Sequence, residues 1–180
     1  MSSSYNVGVI GYGWAATSHI EAINNTTQGA VTAVYSSREL DPAKLAATHG
    51  GEIKVYRKIE DLLADDSIDV VDITSYPAQH KEQAIAAAKA GKSVILEKPI
   101  TLNLEDAEAI KAAFKENETK SCVCLELRFI SQFTTIKAIL EEGLIGDLHY
   151  GEVDYYHGIG PWYGQYRWNT TLENGGSSLL

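Results

Sequence analysis

A glycine-rich turn near the beginning of the chain is the first group of residues whose types and spacing point to chemistry. It reads Gly11-Tyr12-Gly13-Trp14-Ala15-Ala16 and follows the apolar run Val7–Ile10. In such a pattern the first glycine permits a tight turn, the second lets the backbone approach a pyrophosphate, and a small third residue allows a helix to pack closely on the strand. We therefore expect four residues of this turn to bind a dinucleotide: Gly11, Gly13, Trp14 and Ala15.

The residues after the second apolar run, Val31–Tyr35, bear on which dinucleotide is bound. An NAD site usually has an acidic residue about 20 positions after the glycines, and this chain has Ser36, Ser37 and Arg38 there instead. Two hydroxyls and a guanidinium can bind a 2′-phosphate where no carboxylate repels it. The sequence therefore predicts NADP in preference to NAD. The alternative is that Arg38 is a solvated charge, because arginine is common on protein surfaces.

The motif Glu97-Lys98-Pro99 follows a further apolar run, Ser93–Leu96. Ligands of open α/β sheets bind at the carboxyl ends of the strands, where this motif is expected to lie. A lysine there can donate to a substrate hydroxyl or carbonyl and stabilise alkoxide character during hydride transfer. Pro99 is expected to fix the turn, with a cis bond as one option. A lysine before proline, taken alone, is also compatible with a purely structural role.

Apolar runs alternate with helix signals along the first two thirds of the chain. The runs are Val7–Ile10, Val31–Tyr35, Val70–Ile73, Ser93–Leu96 and Cys122–Leu125. Asp41 before Pro42 and the pair Asn103 and Asp106 are typical of helix starts, and Gly91 is a good helix end. Such alternation predicts right-handed βαβ units in an α/β, doubly wound parallel sheet.

The pattern changes near residue 126, which we take as a domain boundary. Ile130, Phe133, Ile136 and Leu140 recur at helical spacing, and residues 148–156 alternate like a strand. We therefore expect residues 1–126 to form a Rossmann domain and residues 127–180 to begin an α+β domain with an antiparallel sheet.

Composition excludes several classes of protein. The 15 Lys and Arg against 24 Asp and Glu give a net charge of −9, the wrong sign for neutralising nucleic-acid phosphates. Cys122 and Cys124 form neither a disulfide framework nor a zinc spacing, so we expect no metal and a reducing, cytoplasmic compartment. The chain has neither a signal-like start nor an apolar segment of about 18 residues, so we expect no membrane contact.

Four motifs occur in an order that is more specific than any one of them. They are Gly11-Tyr12-Gly13, the segment Thr74–His80, Glu97-Lys98-Pro99, and Arg128-Phe129 before a helix that ends in Gly143–Leu148. Together they resemble the Gfo/Idh/MocA family, which includes glucose-fructose oxidoreductase and inositol dehydrogenase. The resemblance spans nearly the whole chain. It implies a Rossmann domain, a substrate domain with a large open sheet, and reversible NAD(P)-dependent oxidation of sugars, cyclitols or related alcohols.

The resemblance also assigns roles by motif match. Lys98 would be the catalytic lysine, and His80 would line the nicotinamide side of the pocket, although a histidine at a helix start can equally face solvent. Glu97, Thr74 and Ser75 would contact or support the cofactor. Arg128 would contact substrate or form an interdomain ion pair.

The end of the chain departs from the family pattern. In the family an Asp and a His complete the site after a glycine-rich segment like Asn174–Leu180, and this chain stops there. We therefore expect a truncated chain whose base is supplied beyond residue 180. His157 and Trp162 are further substrate candidates, although the neighbouring tyrosines and tryptophans suit a subunit interface equally well, with burial in an ordinary core as a third option.

Three hypotheses follow from these residues. The first is an oxidoreductase for a small sugar or polyol, homo-oligomeric through its C-terminal sheet. The second is a non-catalytic NAD(P)-binding sensor of the same fold. The third, a methyltransferase with another glycine-rich loop, fits the family pattern poorly.

Overall fold

Six parallel strands form one sheet in the order β3-β2-β1-β4-β5-β6 in the computed structural model, which describes residues 4–156 and 171–176. The strands are β1 Tyr5–Ile10, β2 Gly29–Tyr35, β3 Lys54–Tyr56, β4 Val70–Ile73, β5 Ser93–Leu96 and β6 Ser121–Val123. The helices are α1 Trp14–Asn24, α2 Pro42–His49, α3 Ile59–Leu63, α4 His80–Lys89, α5 Leu104–Glu116, α6 Ser131–Glu141 and α7 Leu172–Gly175. The predicted doubly wound sheet is confirmed.

Each face of the sheet buries its own set of apolar side chains. Helices α1 and α2 cover one face, where Val9 and Ile20 are fully buried. Helices α3, α4 and α5 cover the other, where Ile10, Leu62 and Phe114 are buried. Because Val9 and Ile10 are adjacent, β1 contributes alternately to both cores, as a central strand of a parallel sheet does.

The winding of the chain reverses between β1 and β4. After β1 the chain builds β2 and β3 on one side, and it then crosses back to place β4 on the other side of β1, with Ile10 opposite Ile73. Ligands of doubly wound sheets bind outside the carboxyl ends of the strands at such a reversal. The loops that begin at Gly11 and Thr74 meet there.

The predicted helix ends are present. The Asp41 carboxylate accepts from the Ala43 amide at 2.9 Å, and Pro42 occupies the first turn of α2. The Asn103 side chain accepts from the Asp106 amide at 2.8 Å at the start of α5. After α4, Gly91 has a φ of +73°, the left-handed conformation that lets a helix end.

The structure differs from the sequence-based prediction after β6. Residues 148–156 form no strand, and their side chains are exposed, including Tyr150 at 80% and Val153 at 88%. A strand is stabilised by pairing with a neighbour, and no antiparallel partner is present among the described residues. Helix α6 forms as predicted, but its apolar residues remain about 40% exposed. Within residues 4–156 and 171–176, no helix is long and apolar enough to cross a membrane.

Candidate functional site

The glycine turn connects β1 to α1 and lies against the loop after β4. Gly11 has a φ of +100°, and a Cβ there would stand 3.1 Å from the Ser75 nitrogen and 3.2 Å from the Thr74 carbonyl. Gly11 is therefore a glycine for two structural reasons, a left-handed backbone and close contact with the neighbouring loop.

Gly13 differs from Gly11 in both respects. Its φ is −114°, which any residue can adopt, and a Cβ placed on it would meet no atom within 4 Å. Neither backbone strain nor a neighbouring atom requires a glycine here. A ligand that lies against the backbone does explain it, because a side chain would fill the space that the ligand needs.

Helix α1 begins directly after this open space. Gly13 is its N-cap, no side chain caps the helix, and the first turn carries no acidic residue. The amides of the first turn, including those of Trp14 and Ala15, have no acceptor within the helix and favour a negative charge. Trp14 is 76% exposed and Ala15 is half-buried. An anionic group beside Gly13 would satisfy these amides.

The residues that follow β2 lie beside the same turn. Ser36 is buried and its hydroxyl accepts from the Arg38 amide at 3.1 Å, while Ser37 is exposed. The Arg38 guanidinium donates to the Tyr12 carbonyl oxygen. Arg57, which follows β3 and was not identified from the sequence, donates to the Ser37 carbonyl at 3.3 Å. Two guanidinium groups therefore lie next to the serine pair.

The loop after β4 forms the other wall. The Thr74 amide donates to the Ile10 carbonyl at 3.0 Å and continues the sheet, and the Ser75 hydroxyl bonds the Gln83 side chain. His80 begins α4 but is completely buried, so the solvent-facing alternative is wrong. Its Nδ1 lies 2.8 Å from the Pro99 carbonyl oxygen and its Nε2 lies 3.2 Å from the Ser75 carbonyl oxygen. His80 thus links the loops after β4 and β5.

The motif after β5 projects its lysine into solvent at the same edge of the sheet. Lys98 is exposed, and its Nζ has no hydrogen bond or ion pair with any described residue. The Lys98–Pro99 bond is cis, the option that the sequence left open. Glu97 is partly buried, and its Oε2 accepts from the Lys98 amide at 2.9 Å. The lysine amine is therefore free to contact a ligand while its backbone is held.

Sequence reasoning missed His19, which lies between two carboxylates beneath this motif. Its Nδ1 is 3.0 Å from Asp72 Oδ1 on β4, and its Nε2 is 3.3 Å from Glu97 Oε1. These hydrogen bonds raise the pKa of His19 to about 10, although burial opposes the shift. Two features of the sequence could have indicated this site. His19 shares a helix face with Ala16 and Ile20, and Asp72 is an acid within a strand buried on both faces.

The remaining candidates do not join this cluster in the described residues. Arg128 lies in the short 3-10 helix Glu126–Phe129, is exposed, and has no ion-pair partner in the parts that the structure describes. His157 and Trp162 lie outside the described residues.

Burial, with a smaller contribution from Asp72 and Glu97, raises the pKa of Cys124 to about 12. No cluster of metal-ligating side chains occurs within residues 4–156 and 171–176.

Cavity size alone does not locate this site. A cavity of about 450 Å³ lies along β3, bordered by Ile53 and Val55 and by none of the predicted site residues. One of about 290 Å³ lies between Tyr12 and α2. The residues of the glycine turn, the loop after β4 and the loop after β5 lie instead on the open carboxyl edge of the sheet, as is usual for doubly wound proteins.

A doubly wound sheet with an open, uncapped glycine turn at its reversal point defines a dinucleotide-binding Rossmann domain. Residues 5–124 match the oxidoreductase family with an NAD-binding Rossmann fold that carries the name Gfo/Idh/MocA. The match covers more than half of the 180 residues. The chain belongs to this family.

Individual relatives agree with that assignment. The myo-inositol 2-dehydrogenase of Thermotoga maritima is 32% identical over 143 residues, 79% of this chain and 42% of the relative. The scyllo-inositol 2-dehydrogenase (NADP(+)) of Bacillus subtilis is 27% identical over 150 residues, 83% of this chain and 41% of the relative. The crystal structure of an NAD-binding protein from Listeria innocua has a TM-score of 0.73 at 32% identity, covering 81% of this chain and 42% of that one. The chain spans less than half the length of each.

Proposed function

We propose that this chain is the cofactor-binding part of an NADP-preferring oxidoreductase that acts on the CH–OH group of a sugar, cyclitol or related polyol. The single observation that carries the proposal is Gly13, whose missing side chain leaves open space at the uncapped start of α1. The family membership is consistent with that use of the space, since the matched family is described as NAD-binding.

The residues present fit a dinucleotide. The pyrophosphate would lie against Gly11 and Gly13 and accept from the amides of Trp14 and Ala15. The nicotinamide, when bound, supplies or accepts the hydride. We assign its surroundings to the loops after β4 and β5, whose polar residues are Thr74, Ser75, His80, Glu97 and Lys98.

The preference for NADP is supported by the groups after β2 and β3. Arg38 and Arg57 are directed at backbone carbonyls of Tyr12 and Ser37 and are not paired with acids among the described residues. Both can therefore exchange those carbonyls for a phosphate, which binds guanidinium more strongly. The Bacillus subtilis relative is named as NADP-dependent, which agrees with this preference.

Lys98 is the residue to which we assign the reaction. Its free, exposed amine can donate to the substrate oxygen and stabilise negative charge on it while the carbinol carbon exchanges hydride. Arg128 would contact the substrate, as would His157 and Trp162.

The substrate class is supported by the relatives from Thermotoga maritima and Bacillus subtilis, which are named as inositol dehydrogenases. We propose that residues 127–180 begin the substrate domain and that its sheet joins subunits of a homo-oligomer. Exposed apolar side chains on α6 are consistent with burial by such a domain. The two free cysteines fit a reducing compartment, and we propose the cytoplasm.

The experiment has two parts. Fluorescence titration of this chain with NADPH and NADH should give tighter binding of NADPH, and Lys98→Met should still bind both cofactors with NADPH as the tighter ligand. The intact gene product should oxidise at least one inositol or related polyol, and Lys98→Met should abolish turnover. Cofactor binding without turnover across a broad polyol panel would refute the enzyme and favour the sensor.

A further inference from the structure

His19 connects the helix of the glycine turn to the segment that carries the lysine. It lies on the inner face of α1, where Ala16 and Ile20 are buried, about one and a half turns after the open start of the helix. Its two ring nitrogens face Asp72 Oδ1 at 3.0 Å and Glu97 Oε1 at 3.3 Å. Ionised carboxylates only accept hydrogen bonds, so the ring satisfies both when it is protonated at both nitrogens.

The charges around the ring favour that protonated form. Hydrogen bonds to Asp72 and then Glu97 raise the pKa of His19 to about 10. Asp72 is completely buried, and burial raises its pKa while His19 opposes the shift. The third titratable neighbour is Cys124, whose pKa is raised to about 12, so its thiol stays neutral. No other cationic side chain pairs with these two carboxylates in the described part of the chain.

The Glu97 carboxylate contacts both His19 and the backbone of Lys98. One carboxylate oxygen of Glu97 faces His19, and the other accepts from the Lys98 amide at 2.9 Å. The Glu97 amide donates to the Ile73 carbonyl at 2.9 Å and continues the pairing of β4 with β5. Beyond Glu97 that pairing ends, and the Glu97 carboxylate is the acceptor for the Lys98 amide, while His80 contacts the carbonyl of the next residue, Pro99.

We propose that His19 is a positioning residue for Lys98. The His19 ring holds the Glu97 carboxylate, and that carboxylate holds the backbone of Lys98 in place relative to the glycine turn at the start of α1. The inference rests on the proposed function, because that function makes Lys98 the reacting residue. The competing explanation is that His19 only neutralises the buried Asp72. That role would affect stability and leave the backbone of Lys98 as it is.

Amide hydrogen exchange of the ¹⁵N-labelled chain without cofactor separates these roles. In His19→Gln, the Lys98 amide should exchange about tenfold faster, since it loses a charge-assisted acceptor held in place. The Ile95 amide of β5 serves as an internal reference for global opening and should change much less. His149→Gln, at an exposed position after α6, is the matched control and should change neither amide.

A second variant covers the case in which His19→Gln does not fold. Glu97→Gln keeps the pair of His19 with Asp72 and should also accelerate exchange at Lys98, and the double variant should add little to either single change. The ¹⁵N NMR signals of the His19 ring supplement the amide exchange rates. They should show that the ring carries protons on both nitrogens at pH 8 in wild type.

The results divide clearly. Selective acceleration at Lys98 supports the positioning role. Unchanged exchange at Lys98, or equal acceleration at Lys98 and Ile95, overturns it. Failure of the wild-type chain to bind NADPH would instead overturn the proposed function. NADPH binding is measured in a separate titration of the wild-type chain, which requires no variant of His19.

Discussion

Replacing each glycine of the turn by alanine should separate stability from binding. At Gly11 the new Cβ would lie 3.1 Å from the Ser75 nitrogen on a backbone with φ +100°. The left-handed conformation costs a non-glycine residue about 1–2 kcal/mol, and the tight backbone contact adds a similar amount, so Gly11→Ala should lose about 2–4 kcal/mol of unfolding free energy.

Gly13→Ala should leave the fold intact and damage the cofactor site. Alanine is a poorer N-cap than glycine, but it also reduces the entropy of the unfolded chain, and these effects nearly cancel to within about 0.5 kcal/mol. The added methyl group occupies the open space beside the first turn of α1. We expect NADPH affinity to fall by about tenfold to a hundredfold, equivalent to about 1.4–2.8 kcal/mol.

Urea unfolding and NADPH fluorescence titration, on the same preparations, test this pair. Gly151→Ala is the matched control, because Gly151 also has open space around its Cβ position and lies far along the chain from the turn. It should change neither quantity. The reasoning is refuted if Gly13→Ala binds NADPH like wild type, or if it loses as much stability as Gly11→Ala does.

Three further predictions test other parts of the account. Arg57→Ala, like Arg38→Ala, should weaken NADPH binding about tenfold or more with little effect on NADH, since each contributes one charge-assisted contact to the 2′-phosphate; equal losses for both cofactors would contradict the assignment. Asn103→Ala should cost about 1 kcal/mol in urea unfolding because it removes the cap of α5, and no loss would show that the cap is not needed. The raised pKa of His19 means that the folded chain retains a proton that the unfolded chain releases above about pH 6.5. The stabilisation is therefore complete below that pH and is lost as pH rises toward about 10, by about 1–2 kcal/mol after solvent screening. Urea unfolding of wild type and His19→Gln at several pH values should show a difference that shrinks with pH, and a constant difference would contradict it.

The strands that sequence reasoning identified are those that carry strong apolar runs. β1, β2, β4 and β5 fall within or next to such runs because the centre of a parallel sheet is buried on both faces. β6 also overlaps an apolar run, although it is an edge strand with Ser121 and Cys122 exposed. β3 was missed because it has three residues, of which only Tyr56 is buried. A short edge strand is defined by its pairing with β2, which no local pattern reveals.

The strand predicted for residues 148–156 shows the opposite error. Alternation of polar and apolar residues is compatible with a strand, but a strand needs hydrogen-bonding partners, and none is available to this segment in the described residues. Local pattern was therefore insufficient where the neighbours decide the outcome.

The candidate site divides in the same way. Gly11, Gly13 and Lys98 could be identified from motifs, because their residue types are fixed by a backbone or by chemistry at known spacing. His19 and Arg57 were missed, since their significance comes from contacts with Glu97 and Ser37, at separations of 78 and 20 residues. Such contacts exist only after the sheet brings the strand ends together.

The most direct test of the central claim is chemical-shift mapping of the ¹⁵N-labelled chain during titration with NADPH. A nicotinamide dinucleotide at the carboxyl edge of the sheet predicts saturable shifts that are largest in residues 11–15, 36–38 and 74–75 and at Lys98. Shifts that do not saturate, or that cluster around the cavity beside β3, would contradict the claim that this edge binds the cofactor.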